Sequence, residues 1–336
     1  MSDLLSKHHK QTGVALITVM LIVALCAVIA TQMTARLQMQ MQRSANITFN
    51  QQAYWYAMGA EEFAKRVLIA AFQEDKDVTH LGQIWAQGEN TYPVEFGEIS
   101  GELIDLQSCL NLNALRAPLT NTTNSSGVSK PLAHSAFENL LINLELEGVS
   151  SFEAESMVDS LTDWLDEDSS ISGSSGAEDD DYASREFPYL AANNFLASVN
   201  ELRVVAHFTP TVINAIKPYV CIIPDSELHK ININTIDAEH PELLQALLDS
   251  TLEEAQQILS ARGDEGFDSI NDFYNLPEVA SLKNFDDKKD QFVVDSEYFT
   301  LKASASFNNS FFAMSSVMKI TNNKYIDVIS RTIGRN

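Results

Sequence analysis

The sequence predicts an α+β fold in which a long N-terminal helix packs on an antiparallel sheet, and the sheet is split by a large, mainly helical insertion. Three observations predict it. An uncharged apolar run from Gly13 to Ala30 passes without proline into a helix-rich stretch reaching about Phe72. Short alternating runs appear near residues 92–106 and return only from 298 onward, as strands do. Between them a pattern of apolar helices is used twice.

The chain has 336 residues, 45% of them hydrophobic, enough for more than one domain with a real core. Its net charge of −24 argues against a nucleic-acid partner, which needs clustered Lys and Arg, and for solubility and the binding of cations. Cys26, Cys109 and Cys221 lack the spacing of a zinc or redox site. Cys26 lies in the apolar run, so Cys109 and Cys221 either pair in an oxidising compartment or stay as two separate buried thiols.

The apolar run of about 17 residues is near the short limit for crossing a bilayer, where roughly 20 are usual. Lys7 and Lys10, with His8 and His9, precede it, and positive charge stays on the cytoplasmic side. The rest of the chain is then expected outside. A cleaved secretory signal would end in a small-residue site, but Thr31 to Leu37 continues as helix. A lipoprotein signal would use Cys26, but Leu25 stands where a small residue belongs. The third reading places a cut at Gly13, ahead of the run, which leaves no side chain to obstruct a membrane-embedded protease.

Lys10-Gln11-Thr12-Gly13 followed by the apolar helix resembles a type IV prepilin-like leader. That resemblance implies cleavage between Gly13 and Val14 by a prepilin peptidase and N-methylation of Val14. In such proteins the mature fifth residue is usually Glu, which pairs with a neighbouring subunit's N-terminal amine. Here it is Thr18. A carboxylate in hydrocarbon costs on the order of 2.5 to 3.5 kcal/mol unless paired, and Thr18 carries neither the cost nor the contact upward. Its absence suits the end of a filament. In this respect the chain is similar to the minor pseudopilin K family of type II secretion systems, also called general secretion pathway protein K.

From Thr31 to about Phe72, Gly59 is the one helix-weakening residue, and the whole helix spans roughly 85 to 90 Å. Tyr54, Trp55, Tyr56, Phe63, Val67 and Leu68 are expected to face a folded head as core. Tyr92–Ile99 and Gly101–Leu106 read as adjacent strands with a tight connection. Tyr298–Phe307, Phe311–Ile320 and Lys324–Arg331 read as a meander, with Asn308-Asn309 and Asn322-Asn323 as turns. Inside the insertion, Leu110–Leu115 matches Ile231–Ile236, Phe137–Ile142 matches Pro241–Leu248, and Phe152–Val158 matches Leu252–Ile258. Each copy closes on a short unit, Ser198–Leu202 or Ser269–Phe273, with Phe195 and Phe267 just ahead at spacings that differ by one.

The second copy looks like a helix-hairpin-helix or SAM-like fold without the glycine hairpin or basic face of a DNA binder. The pair resembles the two SAM-like domains of the pseudopilin K family. The expected division is a leader at 1–13, a transmembrane and pilin-like helix at 14–76, a pilin-like sheet at 90–109 and 291–336, and two SAM-like domains at 110–228 and 229–290.

The sharpest chemical feature is Asp163-Trp164-Leu165-Asp166-Glu167-Asp168, a Ser/Gly-rich spacer, then Gly176-Ala177-Glu178-Asp179-Asp180-Asp181-Tyr182. Such charge density repels itself unless water, salt or a metal offsets it. Composition alone leaves a solvated loop and a calcium site both open, since calcium takes 6 to 8 hard oxygens in flexible geometry. The spacing is not that of an EF-hand. The pseudopilin K resemblance, through D-W-x-D-x-D and G-A-E-D-x-x-Y, implies structural calcium, with Asp163, Asp166, Asp168, Glu178, Asp179 and Asp181 as ligand candidates. Glu167 and Asp180 are expected toward solvent.

The sequence shows no GxSxG elbow, P-loop or HExxH helix, and its seven histidines are scattered, so no enzyme is expected. The resemblance implies an inner-membrane, single-pass protein with a periplasmic head. Its implied partners are other minor pseudopilins in a tip complex, the major pseudopilin below, the prepilin peptidase and the inner-membrane secretion platform. The alternative class is a membrane-anchored exported hydrolase or binding protein with an uncleaved signal anchor.

Overall fold

A computed structural model of the chain describes residues 13–117, 123–124, 127–128, 130–322 and 325–334. The leader ahead of Gly13, with Lys7 and Lys10, lies outside the described residues, as do Asn323 and Lys324 of the last expected turn and strand. Helix α1 (Val14–Glu74) is one unbroken element of 61 residues, about 90 Å long. Its first half is exposed throughout, and the apolar window there is long enough to cross a membrane. Gly13 caps it at φ 100°, in the left-handed region that favours glycine.

The second half of α1 lies on a five-stranded antiparallel sheet: β1 (Asn90–Val94), β2 (Gly97–Asp105), β3 (Tyr298–Phe307), β4 (Ser310–Thr321) and β5 (Tyr325–Ile333). The strands lie side by side in chain order. Against the sequence reading, the first hairpin turns at Glu95-Phe96, and Ser100 sits inside β2 opposite Thr91. Phe96 takes φ 61° in that turn. Gly97 follows because a Cβ there would meet the Ser306 carbonyl at 2.0 Å. The later turn is in place, with Asn308 at φ 50° between β3 and β4.

The expected aromatic face of α1 also needs correction. The seam buried on the sheet is Ala53, Ala57, Glu61, Ala64, Leu68, Ala71 and Phe72. Small residues at this spacing let the helix approach the strands closely. Tyr54 and Tyr56 flank the seam, against Phe312 at 5.3 Å and Phe307 at 5.8 Å, whereas Trp55 and Phe63 stay exposed.

The one acid in the seam, Glu61, is fully buried and accepts bonds from Arg331 Nε at 2.7 Å, Arg331 Nη2 at 2.7 Å and Ser316 Oγ at 2.6 Å. Burial alone raises a carboxyl, but these bonds and the Arg331 and Lys65 charges hold Glu61 below its ordinary range. Glu61 thus fastens α1 to β4 through Ser316 and to β5 through Arg331.

Between β2 and β3 lie two helical units sharing one core. The first contains α2 (Leu132–Asn143), α3 (Ser151–Leu165), α4 (Asp179–Ala183) and α5 (Pro210–Ile216). The second contains α6 (Glu242–Leu248), α7 (Leu252–Ala261), α8 (Ile270–Tyr274) and α9 (Pro277–Ala280). Each unit closes by a two-residue parallel bridge, Leu110–Asn111 to Val220–Cys221 and Ile231–Asn232 to Phe292–Val293. Asn113 exchanges two hydrogen bonds with the Leu196 backbone, at 2.8 and 3.1 Å, and Asn234 does the same with Phe267, at 2.7 and 3.0 Å. The counterpart of Phe267 is therefore Leu196, not Phe195, which removes the one-residue mismatch.

The Glu61–Arg331 pair yields a prediction. Arg331→Met strands a buried carboxylate and destabilises the head by about 3 kcal/mol, and adding Glu61→Leu recovers most of that loss. Urea unfolding of both variants checks it.

Candidate metal centre

The acidic stretch is distributed by two helix ends. Asp166 is the residue at which α3 stops, in extended conformation, with Asp168 just beyond it, and Glu178 stands immediately before α4. One carboxylate oxygen from each of Asp166, Asp168 and Glu178 lies within 4.8 Å of the others. Glu178 is only 4% exposed; the backbone N–H groups of Asp179 and Asp181 at the start of α4 face its carboxylate, but neither oxygen accepts a hydrogen bond of good geometry. Asp166 Oδ1 and the fully buried Asp163 Oδ2 are also unpartnered. Buried acceptors without a well-formed bond are rare in folded proteins, and three carboxylates this close together are a donor set that a cation would fit.

The electrostatics agree. Burial pushes Glu178 up to about 7, with repulsion from Asp163 and Asp166 next. Burial and then the Asp168 charge push Asp166 up to about 6. Burial likewise takes Asp163 to about 6, against its bonds from Ser172. An all-oxygen, all-carboxylate set suits a hard divalent cation rather than zinc or copper.

The other expected ligands hold the loop itself. Asp163 Oδ1 accepts from Ser172 N at 2.8 Å, Asp179 Oδ1 from Ala191 N at 3.0 Å, and Asp181 Oδ2 from Glu178 N at 3.1 Å. Glu167 is mostly exposed and pairs with Arg116. Arg116 Nε also donates to the Leu165 carbonyl at the end of α3. Tyr182 is fully buried, edge-on to Trp164 at 5.1 Å, and fixes α4 to the rest of its unit. The sequence reading missed Asp159, whose available signal was its place one helical turn before Asp163.

Cys109 and Cys221 form a disulfide with Cα atoms 5.8 Å apart. Cys26 is free and exposed on α1. Gly13 and Val14 stand at the start of α1, and the Thr18 hydroxyl donates back to the Val14 and Ala15 carbonyls at 3.1 and 2.9 Å.

An apolar N-terminal helix that runs on without a break to pack on an antiparallel meander is the architecture of a pilin-type membrane-anchored subunit. Two family models described as type II secretion system (T2SS), protein K, match residues 108–225 and 231–295. Type II secretion system protein K of Aeromonas hydrophila is 40% identical over 77% of this chain and 78% of its own length. The protein of that name from Pectobacterium carotovorum is 32% identical over 97% of this chain and 98% of its own. A chain of the crystal structure of the GspK-GspI-GspJ complex from enterotoxigenic Escherichia coli superposes with a TM-score of 0.78 at 32% identity, covering 88% of this chain and 100% of that one. The chain belongs to the type II secretion system protein K family, minor pseudopilins that are structural secretion components and not enzymes.

The raised carboxyls set a sign for pH. Their folded values lie above the unfolded ones near 4, so at these three sites the metal-free fold binds more protons than the unfolded chain, whereas buried His134 and His229, pushed down to about 4, act in the opposite sense. In chelator, the contribution of these carboxyls to stability therefore falls as pH rises from about 4 through about 7, and the difference between the unaltered chain and a Glu178 variant isolates it from the histidines. Thermal unfolding across that range checks this, and Glu178→Gln is expected to flatten the slope and raise the melting temperature at pH 7.5.

Proposed function

We propose that the chain caps the tip of a type II secretion pseudopilus, with its head in the periplasm stabilised by calcium bound at Asp166, Asp168 and Glu178. The observation that carries the calcium reading is the buried Glu178 carboxylate, neither of whose oxygens accepts a hydrogen bond of good geometry, beside two further acids. Calcium supplies positive charge there and ties the start of α4 to the end of α3, which closes the Ser/Gly-rich spacer as a loop. Asp163 Oδ2 is the next available oxygen.

For the tip position the support is Thr18. The mature fifth residue is a neutral Thr in place of Glu, so it presents no charge for a subunit above to neutralise, and its hydroxyl bonds back within α1. Processing follows from Gly13: a prepilin peptidase cuts before Val14 and methylates its amine. Lateral partners are the counterparts of the I and J proteins in the E. coli complex, with the major pseudopilin below and the inner-membrane platform driving assembly. Export is then mechanical, with no bond chemistry at this subunit.

Two measurements test this. Calorimetry is expected to show calcium uptake that raises the melting temperature and is lost in Asp166→Asn and Glu178→Gln. No uptake by the unaltered head sinks the metal reading. Mass spectrometry of the mature N-terminus is expected to find methylated Val14, and retention of the leader would favour an uncleaved anchor.

A further inference from the structure

We propose that Asp159 is a positioning residue for the cation site: it moulds the Ser172–Gly176 loop onto α3 and so delivers Glu178 to Asp166 and Asp168. This inference rests on the calcium reading above.

Asp159 and Asp163 stand one helical turn apart on α3, 5% and 0% exposed. Both reach into the same loop. Asp159 Oδ2 accepts from Ser174 N at 3.2 Å, Asp163 Oδ1 accepts from Ser172 N at 2.8 Å, and Ser160 Oγ donates to the Ser175 carbonyl at 3.3 Å. The loop answers with glycines where the carboxylates press against it. Gly173 takes φ +59°, and a Cβ there would lie 2.0 Å from Asp159 Oδ2. A Cβ on Gly176 would lie 2.0 Å from Asp163 Oδ2. Backbone thus approaches each buried acid more closely than any side chain allows, and charge-assisted N–H bonds offset part of the cost of burying the acids.

Asp159 is not among the residues whose oxygens converge, which among the described residues are Asp166, Asp168 and Glu178. Its contacts are with the spacer that joins two of those ligands. A Ser/Gly-rich spacer is the most flexible kind of chain, and ordering it at the moment of metal binding would weaken affinity. Fixing it beforehand along the Asp159, Ser160 and Asp163 face of α3 removes that cost, as preorganisation does.

Terbium is the probe, excited through Trp164, in titrations of the full chain in detergent micelles with calcium as competitor. Asp159→Leu is expected to weaken binding about 10- to 100-fold, as loss of an outer-shell partner does, and to shorten the luminescence lifetime as water enters a loosened site. Asp159→Asn keeps an oxygen for the Ser174 N–H and is expected to stay within about threefold of the unaltered chain. Gly173→Ala breaks the same fit from the loop side and is expected to act like Asp159→Leu. Unchanged affinity and lifetime in Gly173→Ala overturn the proposal, whatever Asp159→Leu does to folding. Loss in Asp159→Asn as deep as in Asp166→Asn also overturns it, by making Asp159 a ligand. Failure of the cation site itself would look different: the unaltered chain would bind no terbium, or Glu178→Gln would bind it undiminished.

Discussion

Strands β2 and β3 are neighbours, yet the whole helical insertion lies between them, so the chain must leave the sheet and return to it at one point. That constraint is met by a buried acid. Asp105, the last residue of β2, is 2% exposed and accepts bonds from Gln107 N at 2.7 Å, Ser296 Oγ at 2.6 Å and Thr235 Oγ1 at 2.6 Å. Asn232 adds donors to Ser296 Oγ at 2.8 Å and to the Thr79 carbonyl at 3.0 Å. Burial lifts Asp105 to about 6, and these donors limit the rise. The sheet, the second helical unit, the returning strand and the segment after α1 thus meet around one carboxylate, a network in which losing one member leaves the others unsatisfied.

The two helical units show one solution used twice and then put to different ends. In both, an Asn two residues into the unit folds back on the chain, with Asn113 N bonding Asn111 Oδ1 at 3.2 Å and Asn234 N bonding Asn232 Oδ1 at 3.0 Å. Matching capping boxes, Ser150 with Glu153 and Thr251 with Glu254, start α3 and α7. The units diverge after those helices. In the first, a long acidic loop follows α3. In the second the connection is short and packs on the main body, where a Cβ on Gly82 would come 2.9 Å from the Asp264 carbonyl. One loop serves attachment, and the other is free to hold an ion.

Much of this was legible from local pattern. Apolar length gave α1, alternation gave β3, β4 and β5, and the Leu-Asn-Leu-Asn and Ile-Asn-Ile-Asn segments gave the repeat. What escaped depends on contacts far apart in the chain. Nothing near Glu61 marks it as buried, because Arg331 and Ser316 lie at the other end of the sequence. The turn at Glu95-Phe96 is fixed partly by the approach of Ser306 to Gly97, which no local rule shows. In the acidic stretch, composition could not separate the three acids that converge from those that bond the loop's own backbone. That division follows from where α3 ends and α4 begins.

The disulfide has a topological consequence. Cys109 and Cys221 are separated by 112 positions, and the Ser/Gly-rich spacer lies inside the ring they close. Exposed loops of small residues are where proteases cut most readily. A single cut in that spacer would divide the polypeptide but not the molecule, because both pieces would stay covalently joined at the neck of the first unit. Hydrolysis inside the ring therefore releases no fragment of the head.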